Sequence, residues 1–223
     1  MRILVLLLLL AGVARAAEPV DMTLVLVSDV SRSVDDSEFQ MQKAGYSAAF
    51  NDPRVIAAIQ GGALGAIAVA YVEFAGPPEV NTVLDWHVVR DPASARQFTD
   101  ALEAAPRSFW GRTSISAGID HAMQLLVENR FESQRRVIDV AGDGTNNGGR
   151  DVTAARDDAV ASGVTLNGLA IINEHPVNYI HAHVQPPGGL TEWYRQNVIG
   201  GPGRGSRLKP SEFLKLSRFS SLS

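Results

Sequence analysis

The sequence predicts an α/β fold, a doubly wound, mostly parallel sheet flanked by helices on both faces. Two observations predict it. Strand-like and helix-like segments alternate down the chain, and most of the strand-like ones are apolar throughout rather than at every second residue. Strands covered by crossover helices on both sides have that composition. No internal repeat or linker divides the 223 residues, enough for one domain with its own core.

The first strand begins at Met22 in M-T-L-V-L-V-S-D-V-S-R-S-V. Asp35-Asp36-Ser37-Glu38 then opens a helix, with acids suited to its dipole, and Phe39, Tyr46 and Phe50 recur at helical spacing before Pro53. Val55 to Gln60 adds a short helical turn ended by Gly61-Gly62. Gly65 to Phe74 is the second strand, broken by Pro77-Pro78, and Asn81 to Val89 alternates as a third strand exposed on one side. Asp91-Pro92 opens a helix with Ala95, Phe98, Leu102 and Ala105 on its apolar face. Another runs from Ser114 to about Glu128, carrying Ile115, Ile119, Ala122, Leu125 and Leu126. Arg136 to Ala141 is the fourth strand, residues 151–161 a helix, and Val164 to Ile172 the fifth strand. Leu190 to Val198 reads as a helix or tight turn.

The N-terminus reads as an export signal: Arg2, an apolar Ile3–Val13 core, and Ala14-Arg15-Ala16 as an A-x-A site, with cleavage before Ala17. That run is well short of the roughly 20 residues of a membrane span, and no later run is longer. The expected organisation is a signal peptide at 1–16, a domain at 20–200 and an atypical basic tail at 201–223, giving a periplasmic or secreted protein with no membrane span after cleavage. There is no cysteine, hence no disulfide framework and no thiolate metal site. Net charge is −4; removing Arg2 and Arg15 makes it −6, and residues 204–223 hold five basic residues against Glu212 alone. The remaining body is therefore at −10, which speaks against nucleic acid as a partner. The tail offers no apolar strand; it is expected to be poorly ordered after Gly203, and a frameshifted or truncated gene end is one reading of it.

Chemistry gathers at the carboxyl edge of the predicted sheet, where open α/β sheets bind ligands. Asp29, Ser31 and Ser33 stand at alternate positions as the first strand runs out, so extended backbone turns all three one way. A carboxylate and two hydroxyls are hard oxygen ligands suited to a small divalent cation. Thr113 with Ser114 and Ser116 opens a helix at the same edge, and Asp143 directly follows the fourth strand. Ser31 and Ser33 also suit capping of the next helix, and Asp143-Gly144 an ordinary turn. Neither alternative explains why Thr113 and Asp143 return to one edge.

D-V-S-R-S at 29–33, Thr113 within G-R-T-S-I-S-A-G-I, and V-I-D-V-A-G-D-G at 137–144 together resemble a von Willebrand factor A (VWA) domain, over roughly residues 20–200. The chain is similar to bacterial secreted proteins of this type. The resemblance implies a Rossmann-like VWA fold and a metal-ion-dependent adhesion site (MIDAS) with Asp29, Ser31, Ser33, Thr113 and Asp143 as ligands. The implied ion is Mg²⁺, with Mn²⁺ or Ca²⁺ as alternatives. The implied partner is a protein ligand that offers an acidic residue to the metal. Three of the five ligands are neutral, so the ion stays electron-poor, and Mg²⁺ keeps open or water-filled positions where protein oxygens are few.

A rival reading is a metal-assisted hydrolase that uses Asp29 or Ser31 against a phosphate or ester. It needs a base beside the nucleophile, and no histidine lies in the three site segments; His121 is two helical turns past Thr113. The expectation is a binder without enzymatic activity. His175, His181 and His183 resemble a zinc or copper arrangement, but Pro176, Pro186 and Pro187 surround them, and they are read as exposed loop residues. Asn146 and Asn147 are read as loop residues satisfying backbone groups, Phe109-Trp110 as packing under the loop, and Asp21, Glu73 and Asp85 as solvated or edge charges.

Overall fold

In the computed structural model, which describes residues 17–172 and 186–202, the apolar runs lie side by side in one sheet. In chain order the elements are β1 (Glu18–Pro19), β2 (Met22–Asp29), α1 (Asp36–Asn51), α2 (Pro53–Gln60), β3 (Ile67–Phe74), β4 (Val80–Val89), α3 (Pro92–Ala104), α4 (Ile115–Glu128), β5 (Phe131–Glu132), β6 (Arg135–Gly142), α5 (Val152–Ala161), β7 (Val164–Ala170) and α6 (Leu190–Asn197). The signal segment, the loop with His175, His181 and His183, and the basic tail from Gly203 lie outside the described residues. No helix among the described residues is long and apolar enough to cross a membrane.

The sheet order is β4-β3-β2-β6-β7, parallel except for β4 against β3. The antiparallel edge follows from a short connection. Ala75 to Glu79 closes a turn through Ala75 N–H to Glu79 O (2.8 Å) and Glu79 N–H to Gly76 O (2.9 Å), too short for the crossover a parallel partner needs. The two-residue strands β1 and β5 pair with each other and are too short to show a period in the sequence.

Period two divides β2 between the layers. Leu24 and Leu26 pack with Tyr46, Phe50, Ile56, Ile59, Phe98 and Leu102 of α1, α2 and α3. Val25 and Val27 pack with Ile115, Ile119, Ala155, Ala159, Leu190 and Tyr194 of α4, α5 and α6. Each fully buried aliphatic side chain contributes about 1.5–3 kcal/mol, so a strand covered on both faces anchors the sheet. Helix starts are capped by side chains: Asp35 with Glu38 closes a capping box on α1, and Asp91 with Ser94 another on α3.

Two readings are corrected. Glu73 is no edge charge: it is 0 % exposed, because every residue of β3 is interior. It is satisfied there by Tyr71 Oη (3.3 Å) and Ser108 N–H (2.8 Å). Ser31 and Ser33 do not cap α1, since Asp35 does. Asp85 is exposed as expected, whereas Asp21 accepts from the backbone N–H of Leu64 and Ala66 and so ties down the turn before β3.

Candidate metal centre

Adjacent parallel strands β2 and β6 send the chain in opposite directions, β2 into α1 on one face and β6 into α5 on the other. A crevice opens beyond their carboxyl ends, at the switch point of the sheet. Asp29 is the last residue of β2 and Asp143 the first after β6; both are fully buried.

Local backbone chemistry sets the loop after β2. Asp29 Oδ1 accepts the N–H of Ser31 (2.8 Å), an Asx turn of the kind short carboxylates favour. Val30 and Val34 turn inward against Phe39, with half-buried Phe109 over them. Ser31 and Ser33 turn the other way, which is the alternation the motif requires. Thr113 is held from outside: its N–H donates to Asn147 Oδ1 (3.0 Å), and Asn147 N–H donates back to Thr113 O (2.9 Å). Asn146 Oδ1 accepts from Ser116 N–H (3.1 Å) and Ser114 caps α4. Asn146 and Asn147 are therefore loop residues satisfying backbone groups, and in doing so they position Thr113.

The side chains of all five expected residues come together. Thr113 Oγ1 donates to Ser31 Oγ (3.0 Å), Ser31 Oγ lies 3.2 Å from Ser33 Oγ, and Ser33 Oγ donates to Asp143 Oδ1 (2.8 Å). Each hydroxyl has one proton. Ser33 gives its proton to Asp143, and the Ser31 hydroxyl lies between Ser33 and the Asp29 carboxylate, whose pKa it lowers.

Asp29 Oδ2, in contrast, is buried with no hydrogen-bond partner among the described residues. Burial, and then the charge of Asp143, push the Asp29 carboxyl up to about 8, against the smaller opposing effects of Ser31 and Arg107. Behind it stands the buried Tyr194 hydroxyl, also without a partner. Burial and the nearby carboxylates hold that phenol well above its ordinary range, so it stays protonated. Gly142 permits this arrangement. A Cβ there would lie 2.5 Å from Tyr194 Oη and 3.0 Å from Asp29 Oδ2.

Among the described residues no three His, Cys, Asp or Glu side chains gather as a metal-binding group. A centre here depends on hydroxyls as well as carboxylates. Two carboxylates and three hydroxyls form an all-oxygen set suited to a hard divalent ion, and Asp29 Oδ2 has no other buried donor. His121 stands apart, with Nε2 2.7 Å from Thr82 Oγ1.

Sequence reasoning missed Arg107. Its side chain is 6 % exposed and its guanidinium reaches the carbonyls of Val30, Ser31, Val34 and Phe109. It stacks 3.6 Å from the ring centroid of Trp110, which is 54 % exposed; of the pair, only Phe109 packs under the loop. An arginine in a connecting loop has no periodicity to mark it. Its only sequence signal is the flanking pair of aromatic residues.

No curated protein matches the sequence. Among solved structures, proximal thread matrix protein 1 from the mussel byssus, with a zinc-occupied MIDAS motif, aligns at TM-score 0.51 and 21% identity over 70% of this chain and 37% of that one. The pilus adhesin SpaC from Lactobacillus rhamnosus GG aligns at 0.52 and 15% identity, over 82% and 28%. The von Willebrand factor type A structure from Catenulispora acidiphila aligns at 0.48 and 14% identity, over 67% and 33%. The chain thus spans about a third of the length of these structures. Its fold is that of a VWA domain. Residues 19–205 match the model of the family described as "Protein of unknown function (DUF1194)", and the chain belongs to that family.

Proposed function

We propose that this member of the DUF1194 family is an exported VWA-type module that holds a divalent cation, Mg²⁺ foremost, through Asp29, Ser31, Ser33, Thr113 and Asp143. Through that cation it binds an acidic residue of a protein partner. The observation that carries this reading is the convergence of Ser31, Ser33, Thr113 and Asp143 in one hydrogen-bonded run beside Asp29, whose buried Oδ2 has no hydrogen-bond partner among the described residues. Export rests on the signal-like residues 1–16, and the domain proposed at 20–200 agrees closely with the extent of the family match.

The bound cation would supply an electron-poor position open to a carboxylate. The chain's own residues do the rest. Asn147 and Asn146 hold the start of α4 so that Thr113 faces Ser31. The Asx turn at Asp29 presents Ser31 and Ser33 on one side of their loop. The zinc-occupied MIDAS of the mussel thread protein supports a divalent ion at the corresponding motif, and the adhesin role of SpaC supports a protein ligand. A hydrolase is less well supported: within the described residues no histidine bonds to any of the five side chains, and His121 is turned to Thr82 instead.

Calorimetric titration of the purified protein with Mg²⁺, Mn²⁺ and Ca²⁺ tests the reading. One ion should bind per chain, and Ser31→Ala and Asp143→Ala should abolish or sharply weaken binding. Affinity unchanged in both variants would overturn the site. Mg²⁺-dependent capture of a protein, lost in Asp29→Ala, would support adhesion, whereas turnover of p-nitrophenyl phosphate lost in that variant would support the hydrolase instead.

A further inference from the structure

The loop from Val30 to Val34 has two chemically different sides, and one residue from a distant segment separates them. Its hydroxyl side, Ser31 Oγ and Ser33 Oγ, faces Thr113 and Asp143. Its carbonyl side faces Arg107. Arg107 Nη2 donates to Val30 O (2.8 Å) and to Ser31 O (2.7 Å), Nη1 donates to Val34 O (2.9 Å), and Nε donates to Phe109 O (2.9 Å) of its own segment. Ser31 O also accepts the N–H of Val34 (3.1 Å), so both of its lone pairs are engaged. The guanidinium is fixed against aromatic rings, 3.6 Å from the centroid of Trp110 and 5.6 Å from that of Phe39. Among the described residues its one ion pair is with an exposed Asp36 oxygen at 3.8 Å, and the charges of Asp29, Glu73 and Asp143 act on it from further away.

Carbonyl oxygens matter because they distinguish the two common hard cations. Ca²⁺ takes six to eight oxygens and regularly draws on backbone carbonyls, whereas Mg²⁺ takes six at short distance and accepts waters where protein ligands are few. We propose that Arg107 is a positioning residue that ties up three carbonyls of the 30–34 loop, those of Val30, Ser31 and Val34, withholding them from the site and so selecting a small six-coordinate ion over Ca²⁺. This rests on the metal reading of Asp29, Ser31, Ser33, Thr113 and Asp143. A planar fork with five donors reaches four carbonyls at once; a lysine ammonium has three donors at one point and cannot hold the same span.

The test is titration of the purified wild type, Arg107→Gln and Arg107→Lys with Mg²⁺, Mn²⁺ and Ca²⁺, read as the ratio of Ca²⁺ to Mg²⁺ affinity. The wild type should prefer Mg²⁺. Arg107→Gln should lose about tenfold in Mg²⁺ affinity, the scale seen for residues that orient metal ligands, while Ca²⁺ affinity falls less and the ratio moves towards Ca²⁺. Arg107→Lys, which keeps the charge, should shift the ratio the same way by a smaller factor. Ile138→Val, a core change remote from the loop, should leave the ratio unaltered even where it lowers the melting temperature; a shift of equal size there marks general loosening and overturns the proposal. A wild type that binds Mg²⁺ but prefers Ca²⁺, or whose ratio survives in both Arg107 variants, overturns this inference alone. A wild type that binds no ion overturns it together with the proposed function.

Discussion

Two carboxylates are buried at the same edge of the sheet, and the chain treats them differently. Glu73, next to the end of β3, has both oxygens satisfied from within, by Tyr71 Oη and Ser108 N–H. Burial holds its pKa above the ordinary carboxylate value, against the opposing effects of Ser108, Tyr71 and, least, the buried ammonium of Lys43. Asp29, at the end of β2, receives one backbone N–H and faces a second carboxylate, and its other oxygen has no donor. The fold therefore has the means to satisfy a buried acid, and does so one strand away. A buried anion without those means costs several kcal/mol unless it takes up a proton or a cation. The contrast separates a structural acid from the one to which the proposed function assigns an external ion.

The largest expected effect breaks the structural cluster while sparing the other. Lys43 Nζ donates to the carbonyls of Glu103 (2.8 Å) and Ala105 (2.7 Å). Lys43→Met should cost about 3 kcal/mol in urea unfolding, because it strands buried acceptors. The stabilisation produced by Mg²⁺ should be unchanged; its disappearance would mean that the two clusters are one unit. Next in size is Asp29→Asn. At free Mg²⁺ one hundred times the dissociation constant, the wild type should gain about 2.7 kcal/mol, and the variant should gain none by thermal melting. A variant that keeps the full gain would place the ion elsewhere.

The last effect is spread over pH. Asp29 is raised from its ordinary 3.8 to about 8. A group raised on folding contributes stability that is fully present below its unfolded value and is lost as pH climbs through its folded one. With chelator present, stability should therefore decline between about pH 4 and 8, with Glu73 acting in the same sense. Ion affinity should rise across the same window, because a ligand must be deprotonated. Urea midpoints measured against pH check the first trend, and a flat profile would show that Asp29 is charged throughout. Asp29→Asn should flatten the slope that Asp29 causes.

The residues legible in the sequence are those whose role follows from period or position. Asp29, Ser31 and Ser33 stand out because alternate residues of an extended segment share a side. Thr113 and Asp143 stand out because each falls at an element boundary on one edge. The sheet was legible from its apolar strands, and the α1 start from its acids. What escaped depends on residues far apart in the chain. Glu73 stands in an apolar run, which is itself a signal, but its fate is decided by Ser108 and Lys43 in other segments. Arg107 acts on a loop more than seventy positions earlier. The direction of β4 depends on how tightly five residues turn, not on the pattern of the strand, which is the same either way. Asp35, three residues before Glu38, has the capping-box spacing, and that reciprocal pair caps α1 in place of the hydroxyls of Ser31 and Ser33.

Where β2 and β6 part to opposite faces, the hollow between them is made by the course of the main chain rather than by any side chain. Its rim is built from connecting segments that bear little of the core. Substitutions there, at the exposed Arg32 or Arg112 for instance, would change what the proposed site admits while the floor stays as it is. A lineage using this scaffold would diversify its contacts at the margin, with the chemistry at the base held constant.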